Sequence, residues 1–415
     1  MKPTGFIRKA MRRAASLSFA ALATMLSAQA HEVQAADPIK IGVTLAMSPP
    51  GSVIQGTQLR DGLSIALKMI NDQGGVLGRP VELIYEDTQG IPEKARAAAE
   101  KLITKDGVVA ITGEHQSSSG LAAIEVAHRY HIPYLNSNAW SDAIRSKGYP
   151  EVFNPGNYNT RVALAVAEVM ANLKLKRIVA IAEKTDYGIG LAELIRDLLK
   201  ERSPGTEYSY ITVDRAGKDF LPVILPLRAN PPDAIVQLLL PPAAYIMINQ
   251  LHEQGVAPSN KTWLYEASGV ADYPDFWKNV QDAAKGMLTF GLYHPEMPLL
   301  PLGKSVAAAY QAGTNRPLNR LMFQGADSLF LIVEAIKTAG STKPDAMIAA
   351  LQKTEWVGTR GTVTFSNEKG FKFQQWLNVP YVTLQVTKVN QPIDEMQLVQ
   401  GPGKPLDPAK LTKAK

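Results

Sequence analysis

Three observations predict an α/β chain made of two doubly wound parallel-sheet domains. Segments rich in β-formers alternate with segments of helical periodicity along most of the sequence. The stretch Leu63 to Glu86 is a complete helix-turn-strand unit. With 415 residues, 46% hydrophobic and 20% charged, the chain has ordinary globular composition and enough length for two sizeable cores.

In that unit Leu63, Ala66, Leu67 and Ile70 recur at i, i+3, i+4 and i+7, an amphipathic helical stripe. Asn71 and the pair Gly74-Gly75 stop the helix, Gly78 permits a tight turn, and Pro80 forbids helix just before the alternating strand Val81 to Tyr85. Ahead of it a strand, Ile39 to Leu45, runs into a loop over Ala46 to Gln55. Behind it come a helix striped by Ala95, Ala98, Ala99 and Leu102, a strand Val108 to Thr112, a helix from Gly120 and a short strand Pro133 to Leu135. The segment N-P-G-N-Y-N at 154–159 reads as a crossing into a second domain. There the alternation resumes with a strand Arg177 to Ala182, a helix carrying Leu191, Leu194, Ile195 and Leu198, strands Tyr208 to Val213 and Ala234 to Leu239, a helix Ala243 to Glu253, and a strand Thr262 to Tyr265. Such an order covers a parallel sheet on both faces and places ligands beyond the carboxyl ends of its strands. After Gln391 the sequence is rich in proline and lysine, and residues 401–415 are expected to form an extended, partly mobile tail.

The first thirty residues stand apart. Lys2, Arg8, Lys9, Arg12 and Arg13 precede an apolar run from Ala14 to Leu26 and the small-residue site Ala28-Gln29-Ala30, the pattern of a cleaved signal peptide, with a second possible cut after Ala35. The run is shorter than the ~20 residues of a membrane-spanning helix. Its loss takes the formal charge from +6 to +1, so the basic balance is mainly a targeting property, and no basic stripe with interleaved aromatics points to nucleic acid. The sequence contains no cysteine, which excludes disulfides and a lipid-anchoring cysteine and favours a freely soluble periplasmic protein.

The ordered series I-K-I-G-V-T-L-A-M-S from Ile39, I-N-D-Q-G-G-V-L-G-R-P-V-E-L-I-Y-E-D from Ile70, A-R-A-A-A-E-K-L-I from Ala95, G-E-H-Q-S-S-S-G from Gly113, the Tyr187-Gly188 loop, Glu266 and G-T-V-T-F-S-N-E-K-G-F from Gly361 resembles the periplasmic solute-binding proteins of ABC importers, branched-chain amino-acid (Leu/Ile/Val) type. The likeness covers nearly the whole chain after the signal. It implies the type I periplasmic binding protein fold, with a three-segment hinge crossed near 154–159, 286–292 and 364–370. The first domain would then be residues 37–155 and 288–364, and the second 156–287 and 365–400. It also implies a monomer that captures a small amino acid between the domains and delivers it to an inner-membrane ABC permease, without cofactor or metal.

Ser117, Ser118 and Ser119 follow a strand and precede a helix, where hydroxyls and free N–H groups suit a carboxylate, although one serine as a simple N-cap satisfies the same pattern. The resemblance gives Ser117 the ligand carboxylate, with the backbone of Asn138 assisting, gives Tyr187 a ligand contact, and pairs Glu266 with an α-ammonium. A carboxylate facing an anion site across a closing cleft suits a zwitterion. The sequence departs from the family at Gln55, where an aromatic is usual, at Trp140, in place of a carboxylate-holding threonine, and at Leu239-Leu240, near a usual tyrosine. An indole cannot accept a hydrogen bond, but its N–H can donate and its face suits an apolar or aromatic ligand; alternatively Trp140 packs beneath its loop.

These departures keep an aromatic or other organic acid open as the ligand, and a sensory receptor with the same cleft is a further alternative. A secreted hydrolase is disfavoured. No G-x-S-x-G, H-E-x-x-H or phosphate loop occurs, and the G-I-G after Tyr187 lacks the third glycine of a dinucleotide fingerprint. Glu125, His128 and His131 have a metal-like spacing but read as solvated helix-end residues. Glu114 and His115 lack a visible orienting partner for base chemistry.

Overall fold

The computed structural model describes residues 36–314 and 316–414; the expected signal peptide lies outside the described residues. The first lobe begins with β1 (Ile39–Leu45), α1 (Val53–Asp72), β2 (Val81–Asp87), α2 (Pro92–Thr104), β3 (Ala110–Gly113), α3 (Ser117–Arg129), β4 (Tyr134–Asn136), α4 (Ala143–Ser146) and β5 (Val152–Phe153). Its five strands lie in the order β2-β1-β3-β4-β5, all parallel. Of the expected stripe of α1, Leu63, Ala66 and Ile70 are buried, joined by Leu59 one turn earlier, whereas Leu67 is only partly buried; the residues of β1 are nearly all inaccessible. Asn71 does more than stop the helix. Its side chain donates to Val81 O at 2.9 Å and accepts from Val81 N at 2.8 Å, so the helix end fixes where β2 begins.

The second lobe contains α5 (Asn159–Asn172), β6 (Arg177–Glu183), α6 (Asp186–Arg202), β7 (Glu207–Val213), α7 (Leu221–Ala229), β8 (Ala234–Leu238), α8 (Ala243–Glu253), β9 (Trp263–Glu266), α9 (Phe276–Val280) and β10 (Leu288–Gly291). The chain then returns to the first lobe with α10 (Pro301–Thr314), α11 (Arg320–Ala339), α12 (Pro344–Gln352) and the hairpin β11 (Glu355–Val357) and β12 (Thr362–Thr364). It re-enters the second with β13 (Val382–Gln385) and β14 (Gln397–Gln400). The large sheet runs β14-β13-β10-β9-β8-β6-β7, parallel from β7 to β10 and antiparallel at β13 and β14. Both sheets are thus doubly wound, and both reverse direction of growth at their first strand, between β1 and β3 and between β6 and β8.

Two expected boundaries shift. Strand β10 completes the large sheet beside β9, so the return at 287/288 is expected one strand too early; the chain leaves the second lobe after Gly291. The third crossing also comes later than 364–370. Residues past Thr364 still pack in the first lobe, where Phe365 meets Phe153 with ring centroids 5.0 Å apart. The strand-like bridge between Asn154 and Gln375 joins the first and third crossings, with Asn154 N donating to Gln374 O at 3.0 Å and Trp376 N to Asn154 O at 3.0 Å. Gln375 Nε2 also donates to Gly156 O at 2.9 Å. Side-chain amides that bind the backbone of another crossing leave no signal of period 2 or 3.6, so pattern reading misses them. Nor is the tail free: Thr412 exchanges two hydrogen bonds with Gln385, and Lys413 Nζ stands 5.8 Å from the Trp263 ring centre.

Helices α1 and α11 meet through paired glycines. A Cβ on Gly62 would sit 1.9 Å from Met322 O, and one on Gly325 would sit 2.3 Å from Leu59 O. Neither obstacle is a flexible side chain, so the backbones must separate if either glycine is replaced. Gly62→Ala is expected to destabilise the protein by about 1–3 kcal/mol or more through overpacking, read as a lower urea midpoint. An unchanged midpoint would show that the two helices are not held this close.

Candidate functional site

In open α/β sheets ligands lie beyond the carboxyl ends of the strands where strand order reverses. Here the loops beyond the two reversal points converge on one narrow pocket. Its first-lobe wall is Gln55 after β1, His115 and Ser117 after β3, and Asn138 and Trp140 after β4; its second-lobe wall is Tyr187 after β6, Leu240 after β8 and Ser268 after β9. Five of the six residues singled out from the sequence, Gln55, Ser117, Asn138, Trp140 and Tyr187, line this pocket.

Ser117 is the first residue of α3 rather than its cap; Gln116 precedes the helix, and no side chain caps it. The first N–H groups of such a helix have no intrahelical acceptor and carry the positive end of its dipole. Ser117 Oγ accepts from Ser141 N at 3.0 Å, which leaves its own proton to donate. The backbone N–H of Asn138 does not face a ligand: it donates to Glu114 O at 3.2 Å, while Asn138 Oδ1 accepts from the Trp140 indole at 2.7 Å. Trp140 neither lies under its loop nor stands free. Its ring packs edge-on against Tyr187 and Phe290, with centroids 6.1 and 5.9 Å apart, and narrows the pocket. Tyr187 Oη and Ser268 Oγ are 2.7 Å apart.

Glu266 takes a different place from the one expected. It is completely buried at the end of β9, but it does not line the pocket. Its carboxylate accepts from Ser268 N at 2.5 Å, Val270 N at 2.9 Å and Thr289 Oγ1 at 2.8 Å, and so organises the loop that presents Ser268. Burial pushes its pKa up to about 7 against those three bonds. The same cause raises Glu114 to about 7 and pushes His115 down to about 3. His128 and His131 are not simply solvated: their Nδ1 atoms lie 2.8 and 2.6 Å from the two oxygens of buried Glu151.

Sequence reading missed the residues that hold the lobes together. Arg215, beyond β7, reaches across to Gln116 Oε1 at 2.7 Å, Pro50 O at 3.2 Å and Gly90 O at 3.5 Å. Ser118 Oγ donates to Asp186 Oδ2 at 2.6 Å. Arg320, at the start of α11, binds Asp272 and Gly269 O, and donates to Ser268 O at 2.9 Å and the Tyr273 hydroxyl at 2.6 Å, with its guanidinium 5.5 Å from the Trp140 ring centre. A cation just past the carboxyl end of a strand was the available clue for Arg215; Arg320 had none, since it lies distant in sequence from every partner.

A family model described as periplasmic binding protein matches residues 38–382. An amino acid binding protein of Pseudomonas aeruginosa is 26% identical over 319 residues, 76% of this chain and 81% of that protein. A leucine binding protein from Thermotoga maritima superposes with a TM-score of 0.76 at 22% identity, over 90% of this chain and 100% of the other. An ABC-transporter solute binding protein of Rhodopseudomonas palustris, solved in complex with 3,4-dihydroxybenzoic acid, superposes with a TM-score of 0.77 at 22% identity, over 90% and 99%.

The raised pKa of Glu266 makes a signed prediction. Between the ordinary value of 4.5 and about 7 the folded state holds the proton more tightly than the unfolded chain, so stability from this group is full below pH 4.5 and is lost as pH rises through 7. His115 acts in the opposite sense over roughly pH 3 to 6.5, so the comparison must be with a variant. Relative to Glu266→Gln, the wild type should lose stability, on the order of a few kcal/mol, between pH 4.5 and 7.5. Urea unfolding at several pH values measures this, and parallel curves for the two proteins would refute it.

Proposed function

This chain belongs to the periplasmic binding protein family, and we propose that it is the solute receptor of an ABC importer, closing on a small organic acid and presenting the closed form to an inner-membrane permease. On this reading it is exported to the periplasm, acts as a monomer and does not transform its ligand. The observation that carries the ligand class is the pocket wall: it offers hydroxyls and a helix N-terminus to an anion and the faces of Trp140, Tyr187 and Leu240 to an apolar body, but no carboxylate to an ammonium. A buried ammonium without a partner is costly. The benzoate-type ligand of the Rhodopseudomonas protein fits that wall better than the leucine implied by the Thermotoga protein's name.

An amino acid is the second reading. Glu266 lies two residues from Ser268 in the wall, and one of its oxygens accepts a single bond, so a shift of that loop would bring a carboxylate toward an ammonium.

Contacts that exist only between closed lobes raise affinity by favouring the closed population. Arg215→Ala removes three of them and should weaken ligand binding by about tenfold while leaving the unfolding midpoint of the free protein nearly unchanged; unaltered affinity would dismiss the clasp. The ligand class is tested by thermal shift, because a ligand that binds only the native state raises Tm. Benzoate-type acids are expected to stabilise the protein and leucine, isoleucine and valine to do so weakly or not at all. Stabilisation by the aliphatic amino acids alone would transfer the assignment to the second reading.

A further inference from the structure

We propose that the pocket selects an acid bearing a hydroxyl on its body, and that Nδ1 of His115 receives that hydroxyl's hydrogen bond. The inference rests on the organic-acid reading above and names the substituent that the site demands.

His115 is buried in the pocket wall, and its Nε2 lies 3.0 Å from Ser52 O. A carbonyl oxygen only accepts, so Nε2 carries the ring proton and donates; Nδ1 of the neutral ring is then an acceptor with no proton of its own. Nδ1 has no partner among the described residues. The ring is held in this sense by its bond to Ser52 O. Protonation does not relieve the atom, because burial and the nearby Arg215 guanidinium both disfavour the imidazolium.

A second buried acceptor lies in the same wall. Gln55 Oε1 also lacks a partner among the described residues. Of the wall hydroxyls, Tyr187 and Ser268 bond one another and Ser117 accepts from Ser141, and none of them bonds His115 Nδ1 or Gln55 Oε1. Once a solute fills this small pocket, a donor that it carries can answer the two unpaired acceptors. A carboxylate cannot supply it, and neither can an unsubstituted benzene ring. A phenolic or alcoholic hydroxyl can, and it adds no charge that would need a counter-ion.

Calorimetric titration of the protein at pH 7 with benzoate, 3- and 4-hydroxybenzoate and the matching fluorobenzoates tests this. Fluorine approximates the hydroxyl in size but donates nothing. At least one hydroxybenzoate should bind about tenfold or more tightly than benzoate and its fluoro counterpart, and in His115→Phe that ratio should fall to near one. Equal affinities in the wild type, or a preference that survives in His115→Phe, would overturn the inference. If His115→Phe does not fold, the wild-type comparison of hydroxyl with fluorine decides alone. Benzoate binding without hydroxyl preference would remove this inference and keep the organic-acid reading, whereas binding of leucine but of no benzoate would remove both.

Discussion

A guanidinium buried between two lobes needs partners for its donors, and in this chain both terminal nitrogens of Arg320 find them, while its Nε has none among the described residues. The residue belongs to the first lobe by position, at the start of α11, but its partners are Asp272, Ser268 O, Gly269 O and the Tyr273 hydroxyl of the second. Removing one member of a buried, hydrogen-bonded charge pair typically costs about 3–5 kcal/mol. The loop that satisfies Arg320 is the one that Glu266 organises from the other side, and Gly269 adopts a left-handed φ of 68° at its centre, with room for no more than a hydrogen beside Arg320. Ser268 is consequently fixed against Tyr187, and the second-lobe wall of the pocket inherits its shape from a charge that grips its backbone from behind without lining the pocket.

This arrangement explains which parts could be read from the sequence. The helix-turn-strand unit was legible because its signals are local: a 3.6-residue stripe, two glycines with positive φ at 74 and 75, and a proline before the strand. The doubly wound sheets follow from the alternation of such units. The position of Ser117 between a strand and a helix was legible, but position alone left it open as a simple N-cap; its place in a site, like that of Tyr187, came from the family resemblance. Glu266, at the end of its strand, was read as a ligand group, yet its carboxylate turns back to two amide donors of its own loop and to Thr289. Position locates a side chain; competing donors decide which way it faces.

The crossings and the clasp were illegible for the opposite reason. Asn154 meets Gln375, and Arg215 meets Pro50, Gly90 and Gln116, across separations in sequence that no window spans. A glutamine amide or an arginine at such a position has the same appearance in sequence as an exposed one. Gly90 offers a faint trace: with φ of 63° and no room for a Cβ beside Gln116 and Arg215, it allows the guanidinium to reach the first lobe.

On the proposed reading, in which the lobes close on a solute, closure and recognition are linked by what the pocket leaves unpaired. In this structure Nδ1 of His115 and the amide oxygen of Gln55 are both withdrawn from water without a protein donor, and each such group costs about 1–3 kcal/mol. When the lobes separate, water reaches both acceptors and the penalty disappears. The clasp of Arg215 and the bond from Ser118 to Asp186 pull the other way, joining one lobe to the other. A closing equilibrium balanced in this manner is poised, and a ligand that supplies the missing donor removes a penalty confined to the closed state. Its differential affinity for that state is then at least the cost it relieves, sufficient for roughly a tenfold to hundredfold shift in population. A solute of the same size and charge without the donor would fill the pocket and leave the penalty in place, so the features that choose the ligand are also the ones through which it drives closure.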